Sequence, residues 1–335
     1  MPVVDPAYTE SEMHKQRELV LDSWLESYRR LQGISSRLVI NGTALCGEHV
    51  APYFGIDSWS LYDFPNEWWG VARTHFRLSE ELKLLMVARL SPADRAGMKE
   101  GDVLEAVNNQ TIPKTKEAKQ KLIEDLKQAY AKKQPVEFSI RRDKETMKFT
   151  VKPTVACDSY VQLVQGDAKN AFADGAKIVI LKGMMEFFKS DEEIALVISH
   201  EMAHNAMGHL QAKKGNAGLG MFIGLLFDVL VIAKGGGNTR FADLGAQIGA
   251  GANSVSFEQE ADYVGLYFMA QAGYSIEDAP NFWRRMATAD PSSITLKSSH
   301  PTTSERFVAL ESTITEINGK VKAGKRLKPE MKSAK

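Results

Sequence analysis

Apolar residues recur at helical spacing near the start of the chain, at Leu19, Leu21, Trp24, Leu25, Tyr28 and Leu31, and predict an amphipathic helix ending near Gly33. An aromatic-rich irregular segment, "YFGIDSWSLYDFPNEWWG", follows. From about Phe76 the pattern changes. "LKLLMVARL" reads as a strand, and "SPADRAGMKEGDVLEAVNNQTI" as a short helix, a Gly-Asp turn, a strand and an Asn-Asn turn. "TKEAKQKLIEDLKQAYAKK" is a helix with Leu122, Ile123, Leu126 and Tyr130 on one face. "VEFSIRRDKETMKFTV" alternates about a charged turn, a β-hairpin pattern. "CDSYVQLVQGDAKNAFADGAKIVILKGMMEFF" predicts two strands and a turn. A helix then enters at Ser190 and Glu193, spaced as a capping box, and carries "VISHEMAHNAMGH". The run 217–233, "AGLGMFIGLLFDVLVIA", is apolar or small except for Asp228. It falls short of the roughly 20 residues a spanning helix needs. It predicts a helix that packs over a cleft or dips into a membrane surface, hinged by "KGGGN".

At 335 residues, 44% hydrophobic and 25% charged, the chain has room for two globular domains. Lys+Arg and Asp+Glu both number 42, so nothing electrostatic favours nucleic acid or an anionic membrane as main partner. The basic stretch 319–335 reads as a solvated tail. "MPVVDPAYTESEMHKQREL" lacks an apolar h-region, as a cytosolic start or a trimmed mature start would. The two cysteines, Cys46 and Cys157, are either unconnected buried thiols or one disulfide, which implies an oxidising compartment.

The chemistry concentrates at His200, Glu201 and His204. On a helix His204 lies about 40° around the axis from His200 and one turn along, so both imidazoles reach one ion. His209 falls about 180° from His200 and, while the helix continues, points away. His-Glu-x-x-His is the zinc hydrolase pattern: two neutral imidazoles bind zinc, and the Glu takes a proton from water. Two satisfied core histidines are the alternative. A catalytic site also needs a third ligand and an open position. In "FEQEAD" a helix puts Glu258 and Asp262 on one face, with Glu260 about 200° from Glu258. Glu258 can complete the metal site, Asp262 can accept a hydrogen bond from a ligand imidazole, and Gly265 lets another helix approach. A solvated acidic helix start is the alternative.

Residues 72–153 resemble a bacterial PDZ domain, most specifically through "SPADRAGMKEGDVLEAVNNQ". The glycine-rich loop that offers N–H groups to a peptide carboxylate is not evident; "LSEELKLL" stands near its expected place. The module either captures peptides by strand addition or is a structural or regulatory insert. Cys46 precedes it and Cys157 follows it, so a disulfide would staple the flanking domain. Closing a loop of more than about 100 residues contributes up to about 4–5 kcal/mol.

"HEMAH" followed by "FEQEAD", with "NAFADGAKIVILKGMM" and "SHPTTSERFVAL", resembles the zinc metallopeptidase family of the CaaX prenyl protease and the HtpX heat-shock protease. The likeness covers roughly 155–312, with the N-terminal helix and segment. It implies an α+β fold: a mostly helical zincin-like metalloprotease domain with a small edge-strand sheet, interrupted by the PDZ-like domain. Residues 1–71 would form its N-terminal segment, 72–153 the PDZ-like domain, 154–318 the catalytic domain and 319–335 the tail. The resemblance implies one zinc ion on His200, His204 and Glu258, with Glu201 as general base. Lys177, Ile178, Val179 and Ile180 would lie on the edge strand that pairs with substrate. His300 would have a transition-state or gating role, and Arg306 would orient Asp262. Protein or peptide substrates follow, unfolded envelope proteins among them. A bacterial periplasmic or envelope location is expected, with a cytoplasmic one as alternative. A zinc-stabilised, non-cleaving scaffold is the rival function.

Overall fold

The computed structural model of the protein describes residues 5–132, 134–175, 177–209, 255–289, 291, 294, 300 and 302–330. The apolar run 217–233 lies outside the described residues. In chain order the elements are α1 (Pro6–Asn41), β1 (Val50–Tyr53), β2 (Ile56–Trp59), α2 (Trp69–Thr74), β3 (Lys83–Val87), α3 (Pro92–Ala96), β4 (Val103–Val107), β5 (Gln110–Thr111) and α4 (Ala118–Ala131). There follow β6 (Val136–Arg142), β7 (Glu145–Val151), β8 (Thr154–Cys157), β9 (Tyr160–Val164), β10 (Ala171–Ala173), β11 (Lys177–Leu181) and α5 (Lys182–Phe187). Next come α6 (Asp191–Ala206), α7 (Val255–Gln271), α8 (Ala279–Ala289) and α9 (Ser304–Lys322). The chain is α+β.

Helix α1 runs eight residues past its expected end at Gly33. Ile34, Leu38 and Val39 are buried and continue the stripe of Leu21, Trp24, Leu25, Tyr28 and Leu31. Their packing outweighs the roughly 1 kcal/mol that glycine costs inside a helix.

The chain divides into two compact units, one holding residues through Ser36 and Pro52–Thr154, the other Arg37–Ala51 and most of the chain from Val155. The first unit contains an antiparallel sheet in the order β2-β3-β4-β6-β7, with β5 on β4. Its core is apolar: Leu84, Leu104, Leu122, Phe138 and Ile140 are among the buried members. Strand β2 lies upstream of the boundary expected at residue 72, so the module's sheet begins earlier than the sequence pattern suggested. Gly55, in the left-handed region at φ 78°, leads into this edge strand through Phe54-Gly55-Ile56. That turn, rather than "LSEELKLL", is the glycine turn before the edge strand. From α1, Trp24 and Tyr28 pack their rings on Trp59 of β2, and the Tyr28 hydroxyl donates to the Asp57 carboxylate.

In the second unit a three-stranded sheet runs in the order β10-β11-β9, antiparallel then parallel. The pattern predicted two strands here; β10 is only three residues long and escapes a periodicity reading. Strand β11 is the middle strand, bonded on both sides, so Lys177, Ile178, Val179 and Ile180 do not form an edge. Among the described residues the edge position beside α6 belongs to β10, whose three residues are buried and which packs against that helix. Helix α6 packs along α7, and α7 along α9. Cys46 and Cys157 are joined in a disulfide, with their Cα atoms 5.7 Å apart.

The segment from 319 is not a free tail over its described part. Lys320 lies buried on α9, donating to the Tyr267 hydroxyl, Glu316 and the Lys328 carbonyl. The backbone beyond is held as well: Glu330 N–H donates to Tyr263 and the Leu327 carbonyl accepts from Gln271.

Candidate metal centre

Helix α6 is apolar around most of its circumference, and every residue from Ile194 to Asn205 is buried. Such a helix presents its few polar side chains to the protein interior, where each needs a partner. Its entry is fixed by Ser190, whose hydroxyl accepts from Glu193 N–H at 3.3 Å. The Glu193 carboxylate takes Lys189 N–H and binds Arg285, instead of closing the box on Ser190. At its other end Asn205 holds the β10–β11 turn: its Oδ1 accepts from Gly175 N–H at 2.9 Å, and its Nδ2 donates to the Lys177 carbonyl at 3.4 Å. Asn205 gave no sequence signal beyond its place after His204.

Helix α7 brings Glu258 to the two motif histidines. Gly265 permits the approach, since a Cβ there would stand 3.2 Å from the His200 backbone nitrogen. His200 Nε2 and His204 Nε2 are 3.1 Å apart, and each is 3.3 Å from an oxygen of Glu258. Two donors on a tetrahedral zinc ion at about 2.0–2.1 Å stand about 3.3 Å apart, so the spacing suits shared coordination. Among the described residues Glu258 Oε1 is buried with no hydrogen-bond partner, a cost that a metal ligand does not bear. Among the described residues, the carboxyl groups of Glu201, Glu258 and Asp262 are buried near one buried guanidinium, Arg306, a donor set that suits a divalent ion. The residues therefore fit zinc.

His300 joins this group: its Nδ1 is 3.0 Å from Glu258 Oε2 and 3.3 Å from His200 Nε2, and its Nε2 is 3.5 Å from Glu201 Oε1. Ligand atoms of His200, His204, Glu258 and His300 all lie within 4.8 Å of one another. Four protein donors thus converge where the resemblance implied three.

Asp262 accepts from Arg306 through both oxygens, at 2.7 and 2.8 Å, and its Oδ1 lies 3.0 Å from His200 Nδ1. Burial alone would raise the Asp262 pKa, but the Arg306 guanidinium and His200 hold it below the usual value. Burial would likewise lower that of His200, yet Asp262 and Glu258 push it up to about 10 without a metal. His204 goes the other way, down to about 4, chiefly through burial. Arg306 also lies over the Trp283 ring, 5.0 Å from its centroid, and that ring is 5.3 Å from the His200 ring. The packing of Trp283 here was invisible in sequence, because it stands on a separate helix, α8.

His209 stays out of the metal-facing group and hydrogen-bonds behind the motif, as expected, but it does not lie on the opposite side of the helix. Helix α6 ends at Ala206, Gly208 takes φ 68°, and His209 Nδ1 lies 2.9 Å from His204 Nδ1. The expected direction assumed a continuous helix. Glu260, expected on the far side of α7 from Glu258, meets this histidine at 2.9 Å.

Residues 143–314 match the family described as Peptidase family M48, and residues 87–128 match the PDZ domain family. The chain is 26% identical over 164 residues to the mitochondrial metalloendopeptidase OMA1 of Schizosaccharomyces pombe, covering 48% of each chain. It is 29% identical over 133 residues to the beta-barrel assembly-enhancing protease of Yersinia pestis, covering 37% of this chain and 27% of that one. The chain thus spans about half the length of these curated relatives, or less. A crystal structure of the HtrA3 PDZ domain bound to a phage-derived ligand aligns over 32% of this chain and 88% of its own, at 21% identity and TM-score 0.24.

Proposed function

Because the chain belongs to peptidase family M48 and carries a PDZ domain, we propose that it is a zinc-dependent endopeptidase acting on proteins or peptides of the bacterial cell envelope. The observation that carries the reading is the convergence of His200, His204 and Glu258 with Glu201 buried beside them. A zinc ion on those three donors would supply a Lewis acid for the scissile carbonyl and lower the pKa of water. Glu201 takes the proton of the attacking water and hands it to the leaving amine. Asp262 fixes the His200 tautomer by accepting from Nδ1, and Arg306 anchors Asp262. Strand β10, an edge of its sheet among the described residues, is the candidate for pairing with an extended substrate, since β11 is bonded on both sides. In the PDZ-like unit, Gly55 and the edge strand β2 are the candidates for capturing a peptide. The envelope location is supported by the disulfide and by the bacterial assembly-enhancing relatives. Among the described residues no helix is long and apolar enough to cross a membrane.

The Glu201→Gln variant should keep zinc and lose casein cleavage by about 10²–10⁴-fold, the usual worth of a general base. Unchanged turnover would refute the proposal.

One observation favours a second reading. His300 lies within 4.8 Å of the ligand atoms of His200, His204 and Glu258, so it could fill the position that a catalytic site keeps open for water. Either His300 moves aside as a gate, or the protein is a zinc-stabilised scaffold that does not cut. His300→Ala, assayed beside the parent, separates them: raised cleavage identifies the gate, cleavage by the parent but not the variant identifies a transition-state role, and zinc binding without cleavage in both identifies the scaffold.

A further inference from the structure

We infer that Glu260 and His209 form a carboxylate–imidazole chain that positions His204 for the metal. The inference rests on the zinc reading above but concerns two residues that neither the motif nor the family resemblance assigned. His209 is buried, and its ring stacks on Phe257 at 4.5 Å between centroids and 12° between planes. Its two nitrogens have different partners: Nδ1 meets His204 Nδ1 at 2.9 Å, and Nε2 meets Glu260 Oε2 at 2.9 Å. The Glu260 side chain is a third exposed, so the chain runs from the surface to the metal-facing helix.

Proton counting fixes the roles. A His204 that offers the Nε2 lone pair to a metal carries its single proton on Nδ1 and must donate it. His209 Nδ1 then accepts, which leaves the His209 proton on Nε2, directed at the Glu260 carboxylate. The opposite tautomer of His209 would set two N–H groups face to face, or force the His204 proton onto the nitrogen the metal needs. By drawing the His209 proton to Nε2, Glu260 selects the His204 tautomer that is free to coordinate. His200 is served differently, by the buried carboxylate of Asp262 directly. The two imidazoles of the motif thus have unlike supports, and only that of His204 reaches toward solvent.

His209 and Glu260 are positioning residues. The test measures zinc affinity by competition with a chromophoric chelator, together with the His209 tautomer by ¹⁵N NMR of the zinc-loaded protein. His209→Phe keeps an aromatic ring for Phe257 but removes the acceptor, and should weaken zinc binding about 10–100-fold, the usual worth of such a partner. His209→Asn restores an acceptor near the Nδ1 position and should recover most of that loss. Glu260→Leu, at a partly exposed site, should weaken zinc about tenfold and carries the test if His209→Phe does not fold. The His209 proton should be found on Nε2. Undiminished zinc affinity in the folded variants, an Asn variant no better than Phe, or a His209 proton on Nδ1 would each overturn the inference while leaving the zinc site standing. A parent protein that binds no zinc would overturn both.

Discussion

Two Arg–Asp pairs in this protein are nearly superimposable in their hydrogen bonds and differ in everything around them. In the PDZ-like unit Arg142 holds Asp102 through two bonds of 2.7 and 2.9 Å. In the catalytic unit Arg306 holds Asp262 through two bonds of 2.7 and 2.8 Å. Asp102 spends its remaining capacity on the backbone, accepting from Lys99 N–H, and Arg142 remains a quarter exposed. Asp262 spends it on His200, and Arg306 is only 2% exposed. A bidentate pair that braces a turn and keeps one foot in water is architecture. The same pair sealed beside an imidazole bears on metal binding. What separates them is the third partner and the access of water, because both set the local cost of an unpaired charge.

The largest effect should come from breaking the sealed pair. Asp262→Ala leaves Arg306 buried without its main partner, which typically costs about 3–5 kcal/mol. The same change should weaken zinc about 10–100-fold by releasing His200. Denaturant unfolding and chelator competition read the two effects separately, and a loss of stability with full zinc affinity would contradict the assigned role of Asp262. Asp102→Ala should cost less, about 1–3 kcal/mol, because Arg142 can be rehydrated. Zinc affinity should then be unchanged; a fall would mean that the two pairs are not independent.

The smallest and most diagnostic effect is in pH. The His200 pKa is raised in the folded metal-free protein, so its contribution to stability is whole below about pH 6.5 and is lost as pH rises through about 10. His204 is depressed, and its contribution is whole above about pH 6.5 and lost as pH falls toward 4. Zinc must displace the His200 proton, so affinity should rise up to about tenfold per pH unit below pH 10, with about one proton released. Calorimetry in buffers of different ionisation heat measures that release. A flat affinity between pH 6 and 9 would show that Asp262 and Glu258 do not hold a charged His200.

Much of this was legible in the chain. The i, i+4 spacing of His200 and His204 and of Glu258 and Asp262 placed each pair on one helix face, and those four side chains do meet. The failures share one cause. Gly33 looked like a helix end, yet α1 passes through it under the packing of Ile34 and Leu38. The motif helix was followed through to His209, yet it ends at Ala206, and past Gly208 at φ 68° His209 meets His204. "KIVIL" looked like an edge strand, yet three residues of β10 cover its outer side. In each case the expectation was overruled by packing, pairing or a chain turn that residue spacing alone does not record.

The sequence by itself therefore determined which donors exist, and the face each takes within a continuous helix, because that face follows from backbone geometry alone. Only the tertiary structure decided which helices stop, which strand is enclosed, and that His300 and His209 flank the motif from opposite nitrogens of its imidazoles. Those outcomes depend on how buried polar groups find partners across the chain, and no local spacing records that search.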